Sequence, residues 1–518
     1  MLANGRMSLW DQDEAAYAGF GMRMLRSGQW LVPDFIWSDV HRKVPFHFWS
    51  IASSFGVFGI HTWALRLPAM LAIWGTMAWI GLGMKSLLNR DERLVGMVIL
   101  GGSFLVNTLG KISVTDGMLL FFSTGTAVCL LRFLTNPDWR WALFCWVNVS
   151  LAMLTKGPPV LVLGGGLALL LLIWHPKRWH LLRLHPWFGF PLALAPLIYW
   201  GFQTSQADGG AFIDWLIDWY IVKRVAGSVF GQTGPPGTHL GIMWLCFLPW
   251  LVTIPGVLRR IWHGLKKRDQ IDGLLASWWV AGWLIYEFSP SKLPAYAVAA
   301  HVPFALLIAR ELLDWQTRRP RKAWLFVQGG LQSLLIIGLP IAAWWIDGFG
   351  LLFWSAIFAS FLTSVSLIYA WSAFNKESFP RLISLTQVVF LLSVWGWVLP
   401  NADRLKDAPE RVATYLESAT NPQTQVLIGN DFGQPPSLPF YLERNGHQVS
   451  ISKEVRDHLH RFNSNDAWVL VLNERQKEEL MEKVGDWPVR QITSLLVDRQ
   501  GRADYFVILN SAAQEARD

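Results

Sequence analysis

Four short charged stretches interrupt an otherwise apolar chain. The first is Trp10-Asp11-Gln12-Asp13-Glu14, followed by Tyr17. The second is Val114-Thr115-Asp116 and the third Leu154-Thr155-Lys156-Gly157-Pro158. The fourth is Ser289-Pro290-Ser291-Lys292-Leu293-Pro294-Ala295-Tyr296, with Tyr296 one helical turn beyond the lysine. Lys43 and Arg224 add two further cations. A carboxylate such as Asp13 or Asp116 can take a proton from an attacking group. Cations can stabilise a phosphate as it leaves. Together the stretches hold both halves of a transfer from a phosphate. Each also has a plainer reading. An acidic cluster can simply face water, an aspartate at a helix start is often an N-cap, and a lysine in a tight turn can snorkel to a membrane interface.

The elements that must position these residues are membrane helices. The chain has 518 residues, of which 52% are hydrophobic and 16% charged, where a globular domain carries about 25% charged residues. Its 32 Trp and 31 Phe suit membrane interfaces and buried helix contacts. Twelve segments are long and apolar enough to be spanning candidates: Thr62–Leu88, Leu94–Gly110, Gly117–Leu134, Trp139–Leu154, Pro158–Trp174, Trp187–Gln203, Thr238–Leu258, Leu274–Phe288, Leu293–Leu313, Ala323–Ile346, Leu351–Ala373 and Leu382–Leu399. Cys129, Cys145 and Cys246 fall inside such segments, without metal-ligand spacing, and read as packing residues.

The net charge of +8 sits mostly in short loops between these segments. That marks it as topology charge rather than a nucleic-acid surface. If the N-terminal segment lies outside the cytoplasm, twenty Lys and Arg fall in the cytoplasmic loops up to residue 381. The opposite loops after the first helix carry five: Lys111, Lys156, Lys223, Arg224 and Lys292. The bias fixes the expected orientation. All four charged stretches then face the outside, where nucleotide sugars are not found. Residues 1–60 form an extracytoplasmic loop region and 61–400 a transmembrane helical domain. No signal-peptide pattern opens the chain, so a further membrane helix before the given start is expected. Beyond Leu399, a helix (Glu410–Thr420), a strand (Gln425–Gly429), a helix near Pro436–Arg444, a strand (Trp468–Leu472), a helix (Glu474–Val484) and strands Gln491–Val497 and Tyr505–Leu509 predict a small extracytoplasmic α/β domain over 401–518.

In order and rough spacing over residues 8–300, these stretches resemble the membrane glycosyltransferases of the GT-C class. The likeness is to the protein O-mannosyltransferase superfamily and its bacterial branch, typified by the aminoarabinose transferase of lipid A. It rests on Leu9 to Ala18, Met24 to Pro33, Val114-Thr115-Asp116, Leu154-Thr155-Lys156-Gly157 and Lys292-Leu293-Pro294-Ala295-Tyr296. The resemblance implies an inverting transfer of a sugar from a polyprenyl-phosphate carrier to a lipid, glycan or protein, on the outer face of a bacterial inner membrane. It implies Asp13 as catalytic aspartate, with Asp116 as a second aspartate and Glu14 as a third catalytic carboxylate. Lys43, Lys156, Arg224, Lys292, Tyr296 and Tyr17 would lie about the carrier phosphate.

The chain departs from the family in two places. His41-Arg42-Lys43-Val44-Pro45 stands where the bacterial branch often has Glu-Lys-Pro, and no histidine stands near Tyr220 to Arg224. No metal site is therefore expected from the family pattern, although a divalent ion is compatible with the chemistry. A flippase or transporter for a lipid-linked substrate, or a binding-only relative, are the alternative readings. A transporter predicts matched charges on both faces and a repeat between halves, and neither is visible in the sequence.

Overall fold

A computed structural model describes residues 4–223, 231–267, 271–315, 322–421, 424–429, 435–497 and 501–515. It is mostly helical, with one five-stranded sheet near the C-terminus. Arg224 lies outside the described residues.

The chain opens with two helices that lie before the first long apolar one, α1 (Asp13–Ser27) and α2 (Phe46–Phe58). Asp13 and Glu14 stand in the first turn of α1, where the helix dipole favours negative charge. Gly28 ends it with φ 71°, a left-handed conformation that suits glycine. The bundle then runs through α3 (Thr62–Ala78), α4 (Arg90–Gly101), α5 (Phe104–Leu109), α6 (Thr115–Thr135), α7 (Trp139–Lys156) and α8 (Pro159–Trp174). α6 is buried along almost its whole length and packs against α3, α7 and α8.

Helices cover all twelve predicted apolar segments, but several are not single rods. Leu94–Gly110 is divided between α4 and α5. The segment from Thr238 bends by 104° between Thr238–Cys246 and Leu248–Lys266. Six helices of the described residues are long and apolar enough to cross a membrane, and eight if each bent pair counts as one span. Helices Lys322–Asp347 and Leu351–Ser372 pair with each other and expose Phe326, Trp345, Phe361 and Ile368. Such surface belongs in lipid.

The sheet has the order β2-β1-β3-β5-β4, from β1 (Gln425–Gly429), β2 (Val449–Ser452), β3 (Trp468–Leu472), β4 (Arg490–Val497) and β5 (Gly501–Leu509). β1 pairs in parallel with β2 and β3 (Val426↔Val449, Gln425↔Trp468), and β5 pairs antiparallel with β3 and β4 (Val469↔Leu509, Ile492↔Tyr505). The parallel neighbours are connected through helices Ser437–Arg444 and Val455–Phe462, as such crossovers require. The sheet and the N-terminal helices share one hydrophobic core. Tyr17, Phe20 and Phe48 pack in the same cluster as Val412, Leu438, Tyr441, Val469 and Val507.

Candidate functional site

The site is built around the first turn of α1. Asp13 Oδ1 accepts a hydrogen bond from Tyr17, one turn along the same helix, at 3.0 Å, and faces His41 Nδ1 at 2.9 Å. Lys43 Nζ stands 3.9 Å from that same oxygen, contacts the Tyr17 hydroxyl and lies 4.8 Å from the centre of the Tyr17 ring. Oδ2 has no such partner among the described residues, and the Asp13 side chain is 53% exposed. One oxygen is thus held and the other is open. Burial of the surroundings works against ionisation of Asp13. The Lys43 charge and the contacts of His41 and Tyr17 outweigh it and hold the carboxyl well below the usual carboxylate range. The Tyr17 hydroxyl is pushed upward by burial and by the charges of Asp13 and Asp116, and stays protonated.

Glu14 is placed quite differently. Its side chain is 1% exposed and lies in a fork-to-fork pair with Arg66 of α3, with both contacts at 2.8 Å. Its remaining acceptor capacity is used by the backbone N–H groups of Ser113 and Trp10. Burial opposes the charge, and Arg66 with these hydrogen bonds reverses that, so the carboxyl lies below its ordinary value. Glu14 thus ties α1 to α3 and to the lead-in of α6, with no oxygen aimed at a substrate.

Asp116 sits in the first turn of α6 and pairs with Lys156 at 2.6 Å. Lys111, the nearer cation in sequence, lies over the Trp395 ring instead. Lys156 is the last residue of α7. Gly157 follows with φ 78°, which lets the chain reverse into α8 and leaves the lysine at the mouth of the turn. Lys156 Nζ also lies 5.8 Å from the centre of the Tyr296 ring. A chain of contacts links the two groups: Tyr17, bonded to Asp13, meets the His47 ring edge-on at 5.6 Å, and His47 meets Ser113 Oγ, three residues before Asp116, at 3.3 Å. His47 is fully buried between Ser113 Oγ and Met118 Sδ. Burial first and Lys43 second push its pKa down to about 3, so the ring is neutral at ordinary pH.

Lys292 is a buried cation. Its side chain is 4% exposed, and Nζ donates to the carbonyls of Tyr286 at 3.1 Å and Glu287 at 2.7 Å. It therefore caps the end of helix Ile271–Glu287, as a C-terminal cation can. The Glu287 carboxylate stands 4.0 Å away and accepts from the N–H groups of Gly237 and Leu240 and from the Trp283 indole. It thereby fixes the start of helix Thr238–Cys246. His239 of that helix stacks over Tyr296, whose ring also lies beside Tyr286.

Where the family often has a glutamate before the lysine, Arg42 stands and pairs with Asp34 at 2.9 Å and Asp39 at 2.6 Å. Among the described residues no three His, Cys, Asp or Glu side chains converge as a metal-holding group.

The sequence reading did not single out His41, His47, Arg66, His239 or Glu287. His41 had a signal, since it lies in the departure from Glu-Lys-Pro. Glu287 had one too, as the acid that ends an apolar segment just before Lys292. The others are ordinary residues of helix faces until the fold brings them in.

Residues 42–200 match the family described as dolichyl-phosphate-mannose-protein mannosyltransferase. The chain is 26% identical over 459 residues to an undecaprenyl phosphate-alpha-4-amino-4-deoxy-L-arabinose arabinosyl transferase of Pseudomonas paraeruginosa, covering 84% of this chain and 80% of that one. The chain is thus similar to these aminoarabinose transferases over most of its length. A second relative, from Proteus mirabilis and with the same type of name, is 26% identical over 346 residues, and the match spans 65% of this chain and 61% of the relative's length. The fold is similar to that of a solved structure, ArnT from Cupriavidus metallidurans bound to undecaprenyl phosphate. The TM-score is 0.76 at 16% identity, over 99% of this chain and 96% of that one. The likeness therefore covers the helical bundle and the C-terminal sheet domain together, as a polytopic membrane protein.

Proposed function

We propose that the protein is an inverting glycosyltransferase of the bacterial inner membrane, with its site on the outer face. It moves a sugar from a polyprenyl phosphate to a lipid, glycan or protein acceptor. The relatives' names make undecaprenyl phosphate the carrier and 4-amino-4-deoxy-L-arabinose the sugar to test first. The observation that carries the reading is the open oxygen of Asp13 beside Lys43, with a second lysine–carboxylate pair, Lys156–Asp116, at the start of α6.

In the reaction an acceptor oxygen attacks the anomeric carbon and forms the new glycosidic bond. The bond from that carbon to the phosphate oxygen breaks, and the phosphate keeps the electron pair. The acceptor proton passes to Asp13 Oδ2. Lys43 and Lys156 neutralise the charge that gathers on the leaving phosphate, and Tyr17 and His41 hold Oδ1 so that Oδ2 points into the open space. Asp116 keeps Lys156 in place at the mouth of its turn. Glu14 and Lys292 act on position only, through Arg66 and Glu287. The orientation rests on the charge bias of the loops.

The test is transfer in nanodiscs from a panel of radiolabelled undecaprenyl-phosphate sugars, with a membrane extract as acceptor. Labelled product identifies sugar and acceptor together. Retention of all label on the carrier, although the protein binds it, would turn the reading toward a carrier-binding protein.

A further inference from the structure

The four residues before the Asp13–Glu14 turn are gripped by the C-terminal part of the chain. Ser8 donates through N–H and Oγ to the two oxygens of Asp403, at 2.8 and 3.0 Å. Lys406 Nζ donates to the Ser8 and Leu9 carbonyls and lies 4.7 Å from the centre of the Trp10 ring. The Leu9 N–H donates to the Tyr441 hydroxyl at 2.7 Å. Asp11 accepts from both the N–H and the hydroxyl of Ser437, the first residue of helix Ser437–Arg444. Further along α1, Arg23 pairs with Glu443 of that helix at 2.9 Å. From the opposite side, Arg66 donates to the carbonyls of Met7 and Ser8 and to Glu14. Segment 8–14 is thus clamped between the bundle and the sheet domain. A buried network with each partner satisfied holds one geometry.

We infer that helix Ser437–Arg444 is a positioning element for the reaction, and that Asp11, Ser437 and Tyr441 set where Asp13 Oδ2 stands. The inference rests on the reading of Asp13 as the base. Asp11 and Tyr441 touch no substrate in this account. They fix the backbone two and four residues ahead of the reacting carboxylate. A displacement of the base by about 1 Å is enough to cost on the order of 100-fold in rate. The sheet domain thereby belongs to the catalytic machinery rather than being an appendage to it.

The experiment measures kcat and donor KM of the full-length protein in nanodiscs for Asp11→Ala, Asp11→Asn, Tyr441→Phe and Asp13→Asn, with the thermal midpoint of each. Asp11→Ala is expected to lower kcat by roughly 100-fold, and Tyr441→Phe by roughly tenfold, with donor KM and midpoint nearly unchanged. Asp11→Asn keeps an acceptor for the Ser437 N–H and should recover most of the loss. Tyr441→Phe keeps the buried ring, so it reports even if Asp11→Ala folds poorly. Wild-type kcat in both Asp11→Ala and Tyr441→Phe, beside an inactive Asp13→Asn, would overturn the positioning role and leave the base intact. A fully active Asp13→Asn would instead remove the base reading and the inference with it. A fall in kcat that tracks the thermal midpoint and is not relieved by Asp11→Asn would assign these residues to stability alone.

Discussion

Asp13 has two oxygens in unlike surroundings, and the chemistry follows from the difference. Oδ1 is occupied by Tyr17 and His41, and Oδ2 is open. Lys43 is the main charge that keeps the group ionised against burial. A depressed carboxyl pKa places loss of the base below the ordinary carboxylate range, so the acid limb of kcat/KM should not arise from Asp13 above about pH 4. Lys43→Met takes away that charge, raises the carboxyl pKa and should move the acid limb to higher pH. It should raise donor KM as well. A pH–rate profile of the two proteins checks both, and an unmoved limb would separate Lys43 from Asp13. Asp13 and Asp116 stand out in the sequence as acids in an otherwise apolar chain. The division of labour between Asp13 and Glu14 does not. Adjacent residues on a helix point about 100° apart, so one reaches the open space and the other reaches Arg66, and only the packing decides which.

The Glu14–Arg66 pair is the main polar tie between α1 and α3 in this part of the fold. Removing one member leaves a buried charge without its partner, at a cost of about 3–5 kcal/mol. Glu14→Gln and Arg66→Met are each expected to lower the thermal midpoint and the folded yield. The double variant should recover part of the loss, because paired apolar or neutral groups are tolerated where a lone charge is not. A double variant no better than the singles would contradict the pairing argument. The pH dependence has a fixed sign. Glu14 has its pKa lowered on folding, so its contribution is present above the unfolded carboxylate value and is lost as pH falls through the folded one. Element prediction went well where periodicity was strong: Gln425–Gly429, Trp468–Leu472 and Glu474–Val484 stand as read. β2 and helix Val455–Phe462 were missed. The strand is four residues long and only half-buried, and the helix is a short, highly polar one, so neither carries a clear apolar pattern.

The molecule joins a lipid-facing bundle to a water-facing sheet through one shared core. Sequence reading separated residues 1–60 from 401–518, because 340 residues lie between them and no local pattern reports a contact over that distance. The structure shows α1 packed on helix Ser437–Arg444. A chain ending at residue 400 should therefore expose α1. Trypsin is expected to cut it at Arg23 or Arg26 while leaving these sites intact in the full chain, as mass spectrometry of a timed digest would show. Equal resistance in both chains would mean that the bundle holds α1 without the sheet. At the far end of the helices, Arg260 and Arg310 join Asp272, Glu311 and Glu92 across four helices, a network that braces the bundle away from the chemistry.

The central claim is that Asp13 takes the proton as the sugar leaves its phosphate. The most direct measurement is single-turnover transfer by wild type and Asp13→Asn, with donor binding measured on the same preparations. Transfer should fall by roughly 10²- to 10⁴-fold in the variant, the range a general base supplies, while the carrier lipid still binds. Transfer at the wild-type rate by Asp13→Asn would contradict the account.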